Sequence, residues 1–261
     1  MKKYLYSIIA VVLIASVFAC KAQAATCSGT TSVNGLTYGI VLGEDGKCWL
    51  DRNIGSTKVA STSINYQAYG SLFQWGRLAD GHELITWSSY NSGSGVHGTT
   101  AVLSLTSTPL NNSFITSSVS PYDWVTPQID SLWSGTGGTN NPCPTGFYIP
   151  TQTELAALIS AAHITNSASA FGSTTLKLIV SGYRFYSNGI LGSEGNTGYV
   201  WSSTPSTTQA YNLSFDSGSV NALNVSNRGF GLGVRCVSDN SYGGTSVLNT
   251  SGQKMLMSSA Y

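Results

Sequence analysis

Four cysteines constrain this chain most: Cys27, Cys48, Cys143 and Cys236 all fall beyond a start that reads as a secretory leader. Lys2 and Lys3 precede an apolar run from Tyr4 to Ala19, and Ala22-Gln23-Ala24 supplies the small-x-small pattern of a signal-peptidase site, so residues 1–24 are expected to be cleaved. The run is short of the roughly 20 residues a membrane helix needs, and no other stretch qualifies, so no membrane span is expected. A fifth cysteine, Cys20, ends Val17-Phe18-Ala19-Cys20 and raises a lipid anchor as the alternative, against which the bulk of Phe18 argues. In an exported chain the other four predict two disulfides, in any of three connectivities. Cys143 is the stiffest of them, held between Pro142 and Pro144 just ahead of a helix signal.

Charge narrows the partners. Charged residues make up 9% of the chain with a formal net charge of +1, against about 25% in ordinary domains. Ser, Thr, Asn and Gly must therefore supply the polar surface. No Lys/Arg cluster exists, which excludes nucleic acid as a natural partner, because phosphate contacts need a basic patch. Residues 25–240 fit one domain and 241–261 a polar tail, apart from Met255-Leu256-Met257.

Short apolar runs bounded by Gly, Asn and Ser predict many short strands, long loops and little helix. Thr151 and Glu154 form a capping box, and Leu155, Leu158 and Ile159 follow at helical spacing, so a helix is expected from there to about His163. Residues 88–120 read as loops or weak edge strands, and 134–141 as irregular. Strand signals return at LKLIV, GYRFY, YVWSS, AYNLSF and GFGLGVRCV. In Tyr211 to Asp216, Tyr211, Leu213 and Phe215 alternate with Asn212, Ser214 and Asp216, which predicts a half-buried strand. Ser217-Gly218-Ser219 turns into a second strand with Val220 and Val225 inward, which requires a bulge near Ala222 and Leu223. In the last strand Gly229, Gly231 and Gly233 share a face with Arg235 and leave room for close approach.

Eight segments in order carry a resemblance: CWLDRNIG, YGSLFQWGRLADGHE, DW, LW, NPCPTGFYIPTQTEL, STTLKLIVSGYRF, GYVWSST and NRGFGLGVRC. Over residues 35 to 238 the chain resembles the secreted domain first noted as a large paralogous family in Fibrobacter succinogenes. The resemblance implies an α+β, C-type-lectin-like fold, related to formylglycine-generating enzymes, with small twisted antiparallel sheets, one or two helices and long loops. It also implies that Cys143 pairs with Cys236, which leaves Cys27 for Cys48. Closing a loop of that length stabilises a fold by about 4 to 5 kcal/mol in the chain-entropy model.

Chemistry is sparse. Calcium takes six to eight oxygens, yet the acids are scattered and neither Glu-Pro-Asn nor Trp-Asn-Asp occurs, so no calcium site, metal or cofactor is expected. Asp80, His82 and Glu83 read as a solvated turn rather than a metal site, and His97 and His163 as surface residues. No nucleophile elbow or paired histidines point to catalysis, and the chain is expected not to be an enzyme. A metal-dependent oxidase on the same fold is the enzymatic alternative. Trp49, Trp75 and Trp201 read as core, whereas Trp87 and Trp124 stand between core and ligand platform. Arg228 and Arg235 flank the glycine strand and read as surface hydrogen-bonders, with pairing to carboxylates as the alternative.

The positive signal is the outward face of the late segment, where Asn212, Ser214, Asp216, Ser219, Asn221, Asn224, Ser226 and Asn227 stand beside Phe230. Neutral adaptable groups around a rigid aromatic are what binding surfaces use, and the resemblance places a ligand face here. A binding module for a glycan or protein ligand, secreted or attached to a cell surface, is expected, with a structural surface subunit as the other reading. Some lectin-like surface proteins are diversified in this segment by retroelements, so the face is a candidate for diversification.

Overall fold

The computed structural model describes residues 27–238. The leader 1–24, Cys20 and the tail 241–261 lie outside these residues. In chain order the first strands are β1 (Thr30–Val33), β2 (Leu36–Leu42), β3 (Cys48–Leu50), β4 (Phe73–Gln74), β5 (Ile85–Ser89) and β6 (Ser92–Gly95). Then come β7 (Thr99–Thr100), β8 (Phe114–Ile115), β9 (Phe147–Tyr148), helix α1 (Gln152–Ala161) and helix α2 (Ser167–Gly172). The late strands are β10 (Tyr183–Arg184), β11 (Leu191–Gly192), β12 (Gly198–Ser206), β13 (Gln209–Phe215), β14 (Val220–Asn227), β15 (Gly231–Leu232) and β16 (Val237–Ser238). Among the described residues the architecture is α+β: small, mostly antiparallel sheets with two α-helices.

A five-stranded sheet in the order β1-β2-β3-β16-β9 joins both ends of the described chain. It starts with a two-residue hairpin in which Asn34 and Gly35 both take positive φ, the turn that matches strand twist. β3 is buried on both faces. Cys48 and Leu50 look into a core with Tyr38, Trp75, Trp133 and Trp201, while Trp49 looks into a second core with Leu155, Leu158, Leu213 and Phe215. Trp49, Trp75 and Trp201 are thus core residues, as their apolar neighbours predict.

Both disulfides form as the resemblance implies, Cys143–Cys236 across 93 residues and Cys27–Cys48 across 21. They suit an oxidising compartment outside the cytoplasm. Among the described residues no helix is long and apolar enough to cross a membrane.

α1 begins at the expected capping box, with Thr151 and Glu154 each satisfying the other's backbone N–H, and buries Leu155 and Leu158. Lys47 and Tyr148 also hold Glu154, at 3.1 and 2.6 Å. α2 was not signalled by apolar spacing; its cue is the Asn166/Ser169 box that caps it.

Two strand expectations fail. LKLIV is no strand: Leu176, Leu178, Ile179 and Val180 are buried, but the backbone of Leu178 and Val180 bonds to Ala170 and Ser63 of loop and helix, with no neighbouring strand to form a ladder. The final strand is split into β15 and β16, which pair in different sheets. Its glycines do admit close approach. A Cβ on Gly231 would lie 3.1 Å from the Leu72 carbonyl oxygen, and one on Gly233 would lie 2.9 Å from that of Tyr199.

Candidate functional site

A three-stranded sheet, β12-β13-β14, carries the late segment. The register of β13 with β14 shifts between Asn212↔Asn224 and Ser214↔Asn221, so Ala222 and Leu223 together oppose Leu213. That is the bulge the sequence requires, and the Asn221 side chain accepts the Leu223 N–H at 2.9 Å to hold it. Leu213 and Phe215 are buried and Val220 packs against their core. Tyr211 and its partner Val225 are not: Tyr211 is half-buried and Val225 is 38% exposed, so among the described residues the end of that face beyond the bulge lacks a covering layer.

The proposed ligand residues divide into three groups. Asp216, Ser219 and Asn221 shape the hairpin. Asp216 accepts the Gly218 and Ser219 N–H groups at 2.8 and 2.9 Å, and these bonds hold its carboxyl below the usual carboxylate range. Ser214 is half-buried at the centre of the sheet. Asn212 departs from expectation, for it is fully buried and not outward. It is tolerated there because its amide is satisfied: it donates to Ser226 Oγ at 3.0 Å and accepts from Asn224 at 2.9 Å.

The third group meets at a cleft of about 300 Å³ along β14. Asn224, Ser226, Asn227 and Phe230 line it together with Tyr183, Tyr199, Gln209, Val225 and Leu232. No lining residue is charged. Gln209 donates to Asn227 Oδ1 at 3.0 Å, which fixes both amides. Phe230 packs edge-on against Tyr183, Phe185 and Tyr186 with centroids 5.4, 5.2 and 4.9 Å apart, and Tyr183 packs edge-on against Tyr199 at 5.9 Å. These rings are only partly buried, so a preformed aromatic cluster opens to solvent. Burial, then the neighbouring Tyr183, raises the Tyr199 phenol, so it stays protonated and able to donate.

Compared with known proteins, the chain matches no family model, and no curated protein or solved structure is similar enough to count as a match.

Tyr183 and Tyr199 escaped the sequence reading because GYRFY and YVWSS read as strands, and strand periodicity does not say which aromatic stays open. Other expectations are corrected. ADGHE is not solvated: His82 is fully buried, accepts the Gln74 N–H through Nε2 at 3.0 Å and faces Asp80 Oδ1 through Nδ1 at 2.7 Å. Asp80, His82 and Glu83 bring ligand atoms within 4.8 Å of one another. The imidazole lone pair is already used by Gln74, so this geometry locks a turn.

Arg228 and Arg235 are not surface residues either. Arg228 stacks over Trp75 and pairs with Asp130 at 2.6 Å. Arg235 binds Asn53 Oδ1 and the carbonyls of Leu50 and Leu176. Burial lowers Arg235 to about 9, which leaves it charged at neutral pH. Trp124 is core, donating to the Trp75 carbonyl at 2.7 Å, whereas Trp87 is half-buried and lines a separate groove.

Proposed function

We propose that this chain is an exported, non-catalytic recognition module of C-type-lectin-like architecture that binds a neutral glycan in the cleft along β14 without calcium. The observation that carries the reading is the lining itself: open aromatic rings beside fixed amides, with no charge. Sugar rings offer an apolar C–H face for Phe230, Tyr183 and Tyr199 and hydroxyls for Gln209, Asn224 and Asn227, the mix of apolar wall and few polar groups that ligand clefts use. Loop side chains of a protein partner satisfy the same chemistry.

A neutral glycan array followed by calorimetry tests the reading. Binding is expected to survive chelator and to fall at least tenfold in Phe230→Ala and in Asn227→Ala. An array hit that both variants bind unchanged overturns it, and a hit limited to a protein partner replaces the glycan. Diversification of the face would show as a near-repeat of the coding segment for 210–236 beside a reverse-transcriptase gene.

A structural subunit is the second reading. It is favoured by the exposure of Val102, Leu105, Leu110 and Val119 on one long loop region, where Leu110 has no cover at all. A monomer in sedimentation at working concentration counts against it.

A further inference from the structure

We propose that the groove beside Trp87 is a second binding site, independent of the β14 cleft, for an acidic saccharide. The groove encloses about 410 Å³ and lies between the segment after β3 and strand β5. Two observations on the described residues point to a ligand.

The first is an unspent cation. Lys47, Arg52, Arg77 and Arg228 sit in ion pairs. Arg184 and Arg235 are buried on carbonyl oxygens, and Lys177 stacks over Phe171. Among the described residues, Lys58 is the one cation whose side chain engages no ion pair, carbonyl or ring, and it lines this groove. The second is an unspent hydroxyl. Ser71 is only 4% exposed, its Oγ makes no hydrogen bond among the described residues, and it too lines the groove. The Oγ itself is reached by solvent and not sealed in, so it is free to bond whatever enters the groove. Thr57, Tyr66 and Gln67 add side chains that are likewise without hydrogen bonds among the described residues.

The wall between them is rigid. Trp87 donates through Nε1 to the Gly70 carbonyl at 2.8 Å and meets Tyr69 edge-on at 5.1 Å, so its position is set before any ligand arrives. One aromatic, several neutral donors and a single ammonium match a sugar ring that carries one carboxylate. An acidic peptide would present repeated charges to a groove with one cation. The pair with Lys58 is solvent-exposed, so its effect is modest and salt-sensitive.

The test titrates the folded protein with the methyl glycoside of galacturonic acid, which carries one carboxylate, and with its methyl ester, which keeps the hydroxyls and removes the charge. Binding is followed by calorimetry and by the indole N–H resonance that Trp87→Phe deletes. The acid is expected to bind about threefold to fivefold more tightly than the ester at low salt. Lys58→Gln, a change at an exposed residue, should abolish that preference, while Phe230→Ala leaves it intact. No binding at millimolar acid, equal binding of acid and ester, or a preference that survives Lys58→Gln each overturns the proposal. Because Phe230 belongs to the other cleft, failure here and failure there are separately visible.

Discussion

Asn224 donates its side-chain amide to Asn212 Oδ1 across the β13–β14 pair at 2.9 Å, and Asn212 passes its own amide to Ser226 at 3.0 Å. A fully buried residue thus holds two residues that line the cleft. Asn212→Ala leaves the Asn224 and Ser226 groups without their partner and is expected to cost about 1–3 kcal/mol in urea unfolding. Ser214→Ala, on the same strand but outside the network, should change stability by less than about 0.5 kcal/mol.

The two disulfides close loops of very different length, 93 and 21 residues. The chain-entropy model makes removal of Cys143–Cys236 more costly than removal of Cys27–Cys48 by about 1 kcal/mol. Thermal unfolding of the two double-alanine variants checks this, and a non-reducing peptide map should show no Cys48–Cys236 product in the parent.

Acid should destabilise the fold through His82. Burial lowers its pKa to about 4, against an ordinary value of 6.5, so the unfolded chain binds the extra proton between these values. Stability is therefore present above pH 6.5 and falls as pH drops toward 4, by at most about 3 kcal/mol. Asp80 adds to the loss at still lower pH: burial raises its carboxyl, but the bond from His82 and the charge of Arg77 outweigh it and hold it low. Glu83, raised by burial, works in the opposite sense and partly offsets both. Urea midpoints from pH 4 to 8 measure the slope, which should flatten in His82→Gln.

Gly233→Ala places a methyl group 2.9 Å from the Tyr199 carbonyl oxygen and 3.1 Å from Asn53 Nδ2. Backbone on one side and a residue that holds Arg235 on the other leave little give. A loss of about 1–3 kcal/mol is expected in chemical unfolding, the range for overpacked interiors.

Much of the local structure was legible along the chain. The α1 start follows from Thr151 and Glu154, and the β14 bulge follows from Val220 and the residues after it, because caps and pleats are set by groups a few residues apart. The pairing Cys143–Cys236 came from resemblance to a family and not from spacing, since four cysteines leave the connectivity open.

The sequence by itself determined the poverty of charge, the supply of four pairable thiols, the capped helix and three of the core tryptophans, Trp49, Trp75 and Trp201. Tertiary structure alone decided that Asn212 turns inside, that LKLIV finds no ladder, that Arg228 and Arg235 are buried, and that Tyr183 and Tyr199 meet Phe230 beside open amides. The physical reason is range. Helix caps and strand alternation depend on near neighbours, whereas burial of an amide, an arginine or a ring depends on which distant strand comes to lie against it.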